Sequence, residues 1–277
     1  MTPRVAVPSK GRLRDSVLVL LDHAGFATSG FRGSGATATV EGIEFIEMRP
    51  RDAGSWLAAG RIDAAFLSTD IVLEEGLEDL ERTRLGVARS DLVVASRDDD
   101  GRGAPSDLEG ATVATHLPRA TGRWFEAQDV KVQVVTMGGA LEGVCAAGLA
   151  DAVVDLRETG TSLAQNRLRV LARIERCEAE FVTTSDVLGD LGIRLHAALD
   201  ARRHRYLMLH LPPGQIDGLA GIFPGLAAPT VLPLAGRTDL VAVHLVVDAR
   251  DLFQRLGDLR ALGASGIVAL PPDALLA

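Results

Sequence analysis

The residues best suited to chemistry follow an apolar run that ends in an acid. Val153 and Val154 lead to Asp155, after which small hydroxyl residues around one glycine lead into a predicted helix. Such a turn leaves free backbone N–H groups at a helix start, where a phosphate is favoured by hydrogen bonds and by the helix dipole. Asp155 and Glu158 flank the turn and are acceptors for sugar hydroxyls. We call its residues the hydroxyl loop: Thr159, Gly160, Thr161, Ser162 and Leu163.

The hydroxyl loop has two interpretations. In the first it binds a 5-phosphoribosyl group, with the phosphate at the start of the helix and the ribose diol at the acids. In the second, Thr159 only caps a helix and Gly160 lies in an ordinary turn between a strand and a helix. Spacing alone does not choose between them, because small-residue loops before helices are common.

Cations follow two further predicted strands. One turn follows the apolar run 5–8 and contains one of the two lysines of the chain, and the other follows the run 44–48. Lysine as a point charge and arginine as a bidentate fork suit a polyphosphate, although both turns also fit solvated surface charges. Ligands of open α/β sheets bind outside the carboxyl ends of strands, so we expect these turns and the hydroxyl loop at one cleft. The lysine turn is Lys10, Gly11 and Arg12, and the arginine turn carries Arg49 and Arg51.

Short apolar runs alternate with helical patterns over the first two thirds of the chain, which predicts a largely parallel α/β architecture in two lobes around a cleft. We expect lobe I at residues 1–88, completed by about 172–200, and lobe II, with the hydroxyl loop, at 89–171. The predicted strands are 5–8, 44–48, 64–67, 92–96, 112–115 and 132–135, and the predicted helices are 13–24, 51–59, 122–127 and 141–147.

The pattern changes after about residue 200. Predicted strands at 206–211, 240–247 and 267–270 are interspersed with predicted helices at 215–222 and 252–262. This order is of the βαββαβ kind, which predicts a ferredoxin-like α+β domain over residues 202–277.

Composition excludes several classes of protein. Of the 277 residues 47% are hydrophobic and 24% charged, so the chain can build real cores and global disorder is excluded. A net charge of −8 argues against a nucleic-acid groove. Cys145 and Cys177 show neither disulfide nor zinc spacing.

We expect neither a signal peptide nor a membrane span. The N-terminus lacks a long apolar core with a small-residue cleavage site. The long uncharged stretch 218–237 is broken by three prolines and predicts a buried strand and loop. These expectations favour a cytoplasmic protein.

Several motifs together resemble ATP phosphoribosyltransferase in its long form, over nearly the whole chain. The tail segments that match are 206–209, 228–230 and 262–267. The catalytic-unit motifs are Pro8-Ser9-Lys10-Gly11-Arg12-Leu13, Arg49-Pro50-Arg51-Asp52, Glu142, and the run from Gly148 through Asp155 to Leu163. The resemblance implies a periplasmic-binding-protein-like catalytic unit followed by a C-terminal regulatory domain.

Four positions depart from the family pattern. Ser162 replaces a threonine but keeps the hydroxyl, and Arg51 replaces a lysine with a change of shape. The segment 65–68 stands where the family has Gly-Ile-x-Gly, and His210 stands where related long forms carry an acid.

The resemblance implies the first step of L-histidine biosynthesis. Adenine N1 of ATP attacks C1 of 5-phosphoribosyl-1-pyrophosphate, pyrophosphate leaves, and N1-(5-phosphoribosyl)-ATP forms. Asp155, Glu158 and the hydroxyl loop would bind the phosphoribosyl donor, and the lysine and arginine turns would meet the pyrophosphate or the ATP phosphates. Mg²⁺ would act on the pyrophosphate, and no protein residue is assigned as its ligand.

The resemblance also implies regulation and assembly. Histidine would inhibit by binding the tail, and dimers would assemble into hexamers. The tail excludes the short forms that need a separate regulatory subunit. The residues aligned with the effector pocket are Thr230, Leu234, Ala264 and Ser265.

Two other functions stay open from the residues alone. Two α/β lobes around a cleft also describe a small-molecule-binding or sensor protein. A nucleotide-salvage phosphoribosyltransferase carries a similar loop but usually two adjacent acids before it, whereas Leu156 follows Asp155 here. We name no general base, and interpret His116 and His244 as ordinary packed or surface histidines.

Overall fold

A computed structural model describes residues 2–32, 36–184, 188–224, 226 and 228–276. The chain divides into two compact units, the first comprising 1–19 and 27–188, the second 20–26 and 189–277. No helix among the described residues is long and apolar enough to cross a membrane.

The first unit alternates strands and helices along the chain. Its strands in the described ranges are β1 (Arg4–Pro8), β2 (Thr37–Val40), β3 (Ile43–Met48), β4 (Ala64–Ser68), β5 (Glu81–Arg84), β6 (Ser90–Arg97), β7 (Thr112–Thr115), β8 (Gln133–Thr136), β9 (Ala152–Arg157), β10 (Leu168–Cys177) and β11 (Ala179–Thr183). The α-helices that begin in it are α1 (Gly11–His23), α2 (Pro50–Ala58), α3 (Thr69–Glu75), α4 (Pro118–Ala127), α5 (Leu141–Ala146) and α6 (Thr161–Gln165). Short 3-10 helices among the described residues cover Thr28–Arg32 and Pro105–Leu108.

Two sheets give the first unit its two lobes. The order in lobe I is β2-β3-β1-β4-β11-β5, and in lobe II β10-β6-β9-β7-β8. The chain crosses to lobe II between β5 and β6 and returns between β10 and β11. The predicted two-lobed α/β unit is therefore confirmed.

Strand direction differs from the prediction of a largely parallel architecture. Parallel pairing joins β1 to β3 and β4, and β7 to β8 and β9. The other pairs are antiparallel. β6 and β11, with which the chain enters and leaves lobe II, run against their neighbours, and β2 and β3 are consecutive strands that pair antiparallel. We expected the segment 172–200 to complete lobe I. Its strand β11 joins the lobe I sheet.

One hydrophobic core runs through both lobes. Leu67 and Val72 of lobe I belong to the same buried cluster as Val94 and Phe125 of lobe II. Each of these side chains is at most 1% exposed. Close packing of this kind resists small displacements, so it fixes the position of one lobe against the other in this conformation.

The second unit contains α7 (Gly189–Arg203), β12 (His204–Leu211), α8 (Ile216–Ile222), β13 (Thr230–Leu234), β14 (Arg237–Asp248), α9 (Ala249–Gln254), α10 (Leu256–Ala261) and β15 (Ser265–Leu270). Its strands pair antiparallel in the order β13-β14-β12-β15. After α7 the strands and helices follow the order βαββαβ, with two short consecutive helices, α9 and α10, in the place of the second helix, which confirms the ferredoxin-like prediction.

Two details of the tail prediction were wrong. The helix predicted at 252–262 is two helices, separated at Arg255 with φ −103° and ψ 7°, just before the weak helix former Gly257. The stretch 218–237 holds the end of α8 and an exposed strand rather than a buried one. Since β13 is an edge strand, its Pro233 is tolerated, and Leu232 is 46% exposed.

Candidate active site

The hydroxyl loop connects β9 to α6 and presents its polar atoms to solvent. Gly160 has φ +82° and ψ 0°, in the left-handed region that favours glycine. A Cβ at this position would meet Cδ of Arg157 at 3.6 Å, an ordinary contact, so the backbone angle rather than a clash is what favours glycine. Leu163 is 7% exposed and anchors the loop in the lobe II core, whereas Thr159, Thr161 and Ser162 are exposed.

Hydrogen bonds order the hydroxyl groups of this loop. The hydroxyl oxygens of Thr159 and Thr161 lie 3.0 Å apart. Ser162 donates its hydroxyl to Oε1 of Glu142, in the first turn of α5, at 2.6 Å. Glu142 matched the family motif without receiving a role from the sequence, and the structure places it in contact with the loop.

The lysine turn and the arginine turn lie side by side because β1 and β3 are parallel neighbours. Pro8 is in register with Met48, and the Ser9 N–H donates to the Met48 carbonyl at 2.9 Å. Gly11 begins α1. Lys10, Arg49 and Arg51 are exposed, and none forms an ion pair with another residue that the structure describes. Their charges are therefore available to an anion.

One ion pair joins the lysine turn to the hydroxyl loop. Nη1 of Arg12, in lobe I, lies 2.7 Å from Oε2 of Glu158, which precedes Thr159 in lobe II. Both side chains are more than half exposed, and such a pair stabilises a protein by at most about 1 kcal/mol. An incoming phosphate can therefore compete for Arg12. The hydroxyl loop, the lysine turn and the arginine turn therefore lie at one site, as expected because each follows the carboxyl end of a strand.

A histidine and two acids lie across the junction of the lobes beside this loop. His116 directly follows β7, with Nδ1 at 3.6 Å from Oδ1 of Asp155 on β9 and Nε2 at 4.0 Å from Oδ2 of Asp70 in the first turn of α3. Burial raises the pKa of both carboxyl groups, and the imidazole acts in the opposite direction on each. The Leu156 N–H donates to Oδ1 of Asp155 at 2.7 Å.

His116 is the functional candidate that sequence reasoning missed. We interpreted it as an ordinary packed or surface histidine. The signal that could have indicated its role is its position immediately after β7. Thr115 at the end of β7 is in parallel register with Val154, so the next residues, His116 and Asp155, are neighbours. The carboxyl ends of parallel neighbouring strands meet at one sheet edge, and ligands of open α/β sheets bind there. This rule, which placed the hydroxyl loop and the two cationic turns at one cleft, also applies to His116.

A buried carboxylate joins the lobes next to the site. Glu74 of α3 is 1% exposed, and its Oε2 accepts a hydrogen bond from the Ala120 N–H at the start of α4, at 2.9 Å. Arg119 of α4 lies 2.5 Å from Glu75. An acid at a helix N-terminus satisfies a free N–H and opposes the positive end of the dipole, so Glu74 stabilises this arrangement of the lobes.

The four effector candidates do not come together within one chain. Thr230 and Leu234 lie on β13, whereas Ser265 begins β15 and Ala264 precedes it. β13 and β15 are opposite edges of the four-stranded sheet. The strands β14 and β12 separate the two pairs of residues within one chain.

Comparison with known proteins identifies the family. The model of the family HisG, ATP phosphoribosyltransferase, matches residues 49–197, and that of the HisG C-terminal domain matches 201–272. The ATP phosphoribosyltransferase of Halobacterium salinarum is 35% identical over 281 residues, covering 99% of each chain. The chain belongs to the ATP phosphoribosyltransferase family. This membership selects among the three functions that the residues left open.

Two further relatives agree with the assignment to the ATP phosphoribosyltransferase family. The enzyme of that name from Gemmatimonas aurantiaca is 36% identical over 289 residues, again covering 99% of each chain. A chain of the ATP phosphoribosyl transferase (HisG:HisZ) complex from Thermotoga maritima is similar in structure, with a TM-score of 0.59 and 28% identity. That match covers 70% of this chain and 98% of the other.

Members of the ATP phosphoribosyltransferase family depend on a divalent metal. Within the described ranges no group of three or more His, Cys, Asp or Glu side chains is arranged to hold a metal ion.

Proposed function

We propose that this chain condenses ATP with 5-phosphoribosyl-1-pyrophosphate, here called the donor, in the first step of histidine biosynthesis. The observation that carries this proposal is the Arg12–Glu158 contact of 2.7 Å, which places the lysine turn beside the hydroxyl loop. Family membership supplies the reaction, and the contact supports a single site for its two phosphorylated substrates.

The reaction forms one bond and breaks another. Adenine N1 donates its electron pair to C1 of the ribose, and the C1–O bond to pyrophosphate breaks with its electrons on the leaving group. Positive charge develops on the ribose and negative charge on the pyrophosphate. Positioning of the substrates and electrostatic stabilisation can supply most of the catalysis, so we assign no general base.

We assign the donor to lobe II. Its 5-phosphate would accept hydrogen bonds from backbone N–H groups and hydroxyls of the hydroxyl loop, where Gly160 has no side chain to cover the backbone. Asp155 would accept from the ribose hydroxyls through Oδ2, because both of its contacts among the described residues involve Oδ1. Glu158 would accept from the same diol or hold Arg12 toward it.

We assign the polyphosphate groups to lobe I. Lys10, Arg49 and Arg51 are exposed cations free of ion pairs within the described ranges, and Arg12 is held only by an exposed partner. They would stabilise negative charge as pyrophosphate leaves or hold the ATP phosphates. Mg²⁺ is the divalent ion we propose, and when bound to the pyrophosphate oxygens it supplies further charge neutralisation.

A pyrophosphate-release assay tests the reaction. Release should require both ATP and the donor. Release with a free base in place of ATP would support the nucleotide-salvage alternative. Binding of small molecules without any release of pyrophosphate would support the sensor alternative.

We further propose that the second unit is a regulatory domain that binds histidine between copies of the chain, in a cytoplasmic dimer or hexamer. The placement of the effector candidates on opposite sheet edges supports a site shared between copies. Histidine should inhibit pyrophosphate release, and Thr230→Val should raise the concentration needed for half-inhibition. Thr238→Val, on the neighbouring strand β14, is the control. Absence of inhibition in the intact chain would contradict the effector role.

A further inference from the structure

His116 occupies a position between two acids that come from different lobes. Its Nδ1 faces Asp155 at 3.6 Å, and its Nε2 faces Asp70 at 4.0 Å. The two ring nitrogens point to opposite partners, so one imidazole can contact both carboxylates at once. The His116 side chain is 26% exposed, which leaves it partly open to solvent.

The acid on the lobe I side is buried and incompletely satisfied. The Asp70 side chain is 3% exposed, and its Oδ1 has no hydrogen-bond partner among the described residues. A buried carboxylate oxygen without a partner is costly, and a nearby cation reduces that cost. No lysine or arginine side chain in the described ranges lies within ion-pair distance of Asp70, and His116 is its neighbour at 4.0 Å.

The acid on the lobe II side has like charges around it. Glu142 on α5 and Asp70 on α3 both raise the pKa of Asp155, in addition to its burial, whereas His116 lowers it. Cys177 at the end of β10 is the further titratable group near Asp70, and burial keeps this thiol protonated by raising its pKa. His116 thus lies between groups that otherwise repel one another, and it lowers the pKa of both acids.

We propose that His116 is a positioning residue for the phosphoribosyl donor, holding Asp155 and Asp70 together across the two lobes so that Asp155 meets the ribose hydroxyls as an oriented carboxylate. This inference rests on the proposed function, since it takes the donor site at Asp155 from it. The imidazole contacts Oδ1 of Asp155, and Oδ2 is left to accept from the donor. Without His116 the carboxyl groups would separate or take up a proton, and each change weakens acceptance from a hydroxyl.

The test measures donor binding in the absence of ATP. Isothermal titration calorimetry with 5-phosphoribosyl-1-pyrophosphate would compare the wild type with His116→Ala, His116→Gln and the control His196→Ala, which removes an exposed histidine of α7. We expect His116→Ala to weaken donor binding about tenfold, because Asp155 loses the imidazole that lies beside its Oδ1. His116→Gln should restore part of that loss, and His196→Ala should match the wild type.

The pH dependence of donor binding separates positioning from a purely structural role. Removing the imidazole removes an influence that lowers the pKa of Asp70 and Asp155, so both pKa values rise. The acidic limb of donor affinity should therefore move to higher pH in both variants at position 116. The KM for ATP should change less than the KM for the donor.

Thermal unfolding identifies any variant that does not fold, and His116→Gln carries the test if His116→Ala is such a variant. Folded variants with wild-type donor affinity and an unchanged pH profile would overturn the proposal. A wild type that binds the donor but releases no pyrophosphate with ATP would overturn the proposed function alone, because calorimetry still decides on His116. A wild type that does not bind the donor would overturn both.

Discussion

Replacing Gly160 by alanine tests the hydroxyl loop by adding one methyl group. At φ +82° an L-residue costs about 1–2 kcal/mol relative to glycine. The fold already accommodates alanine at positive φ, at Ala88 and Ala140, so the variant should fold. The new Cβ would lie 3.6 Å from Arg157 Cδ, an ordinary contact, and no clash adds to the backbone cost. We expect the free energy of unfolding to fall by about 1–2 kcal/mol.

The effect on donor binding should exceed what this strain explains. The methyl group adds bulk beside the backbone, where we propose that the 5-phosphate lies. We expect the Kd for the donor to rise at least about tenfold, which corresponds to about 1.4 kcal/mol. The KM for ATP should stay near its wild-type value. Calorimetry measures the first quantity, and steady-state kinetics the second.

Gly110→Ala is the matched control. Gly110 has φ +74°, and a Cβ there meets no atom within 4 Å, so its substitution adds a similar strain away from the loop. Both variants should lose similar stability in denaturant unfolding, and only Gly160→Ala should lose donor affinity. Equal donor affinity in the two variants, at equal loss of stability, would refute the phosphate role of the loop.

Three further predictions concern charged side chains. Lys10→Ala should raise the KM of a phosphorylated substrate about tenfold without changing the thermal midpoint of unfolding. Lys131→Ala, at an exposed loop position, is the control and should change neither quantity. Equal kinetics in the two variants would contradict the role of Lys10. Glu74→Gln should lower the free energy of unfolding by about 1–3 kcal/mol, since a buried carboxylate that caps α4 is lost, and unchanged denaturant unfolding would contradict this. The backbone N–H of Thr112 lowers the pKa of Asp151, so Asp151→Asn should be less stable than the wild type at pH 7. Because a lowered pKa stabilises the fold above the unfolded-state pKa, that difference should shrink as the pH falls below about 4, and a constant difference would contradict the reasoning.

Local patterns determined much of this protein. The strand at 5–8, the helix after Gly11 and the hydroxyl loop follow from turn chemistry and from the period of apolar residues, which act over a few positions. The order βαββαβ of the tail follows for the same reason. The family could also be identified from the sequence, since its motifs are short contiguous runs.

Tertiary structure alone decided which of these elements meet. Arg12 and Glu158 are 146 residues apart in sequence, and only the pairing of strands and the packing of lobes brings them to 2.7 Å. The same packing put His116 between Asp70 and Asp155 and placed Thr230 and Ser265 on opposite edges of one sheet. Strand order and direction depend on contacts distant in sequence, and the raised pKa values of the two acids depend on burial. The local pattern of residue types determines neither the strand arrangement nor these pKa values, because both arise only when segments remote in sequence pack together and exclude water.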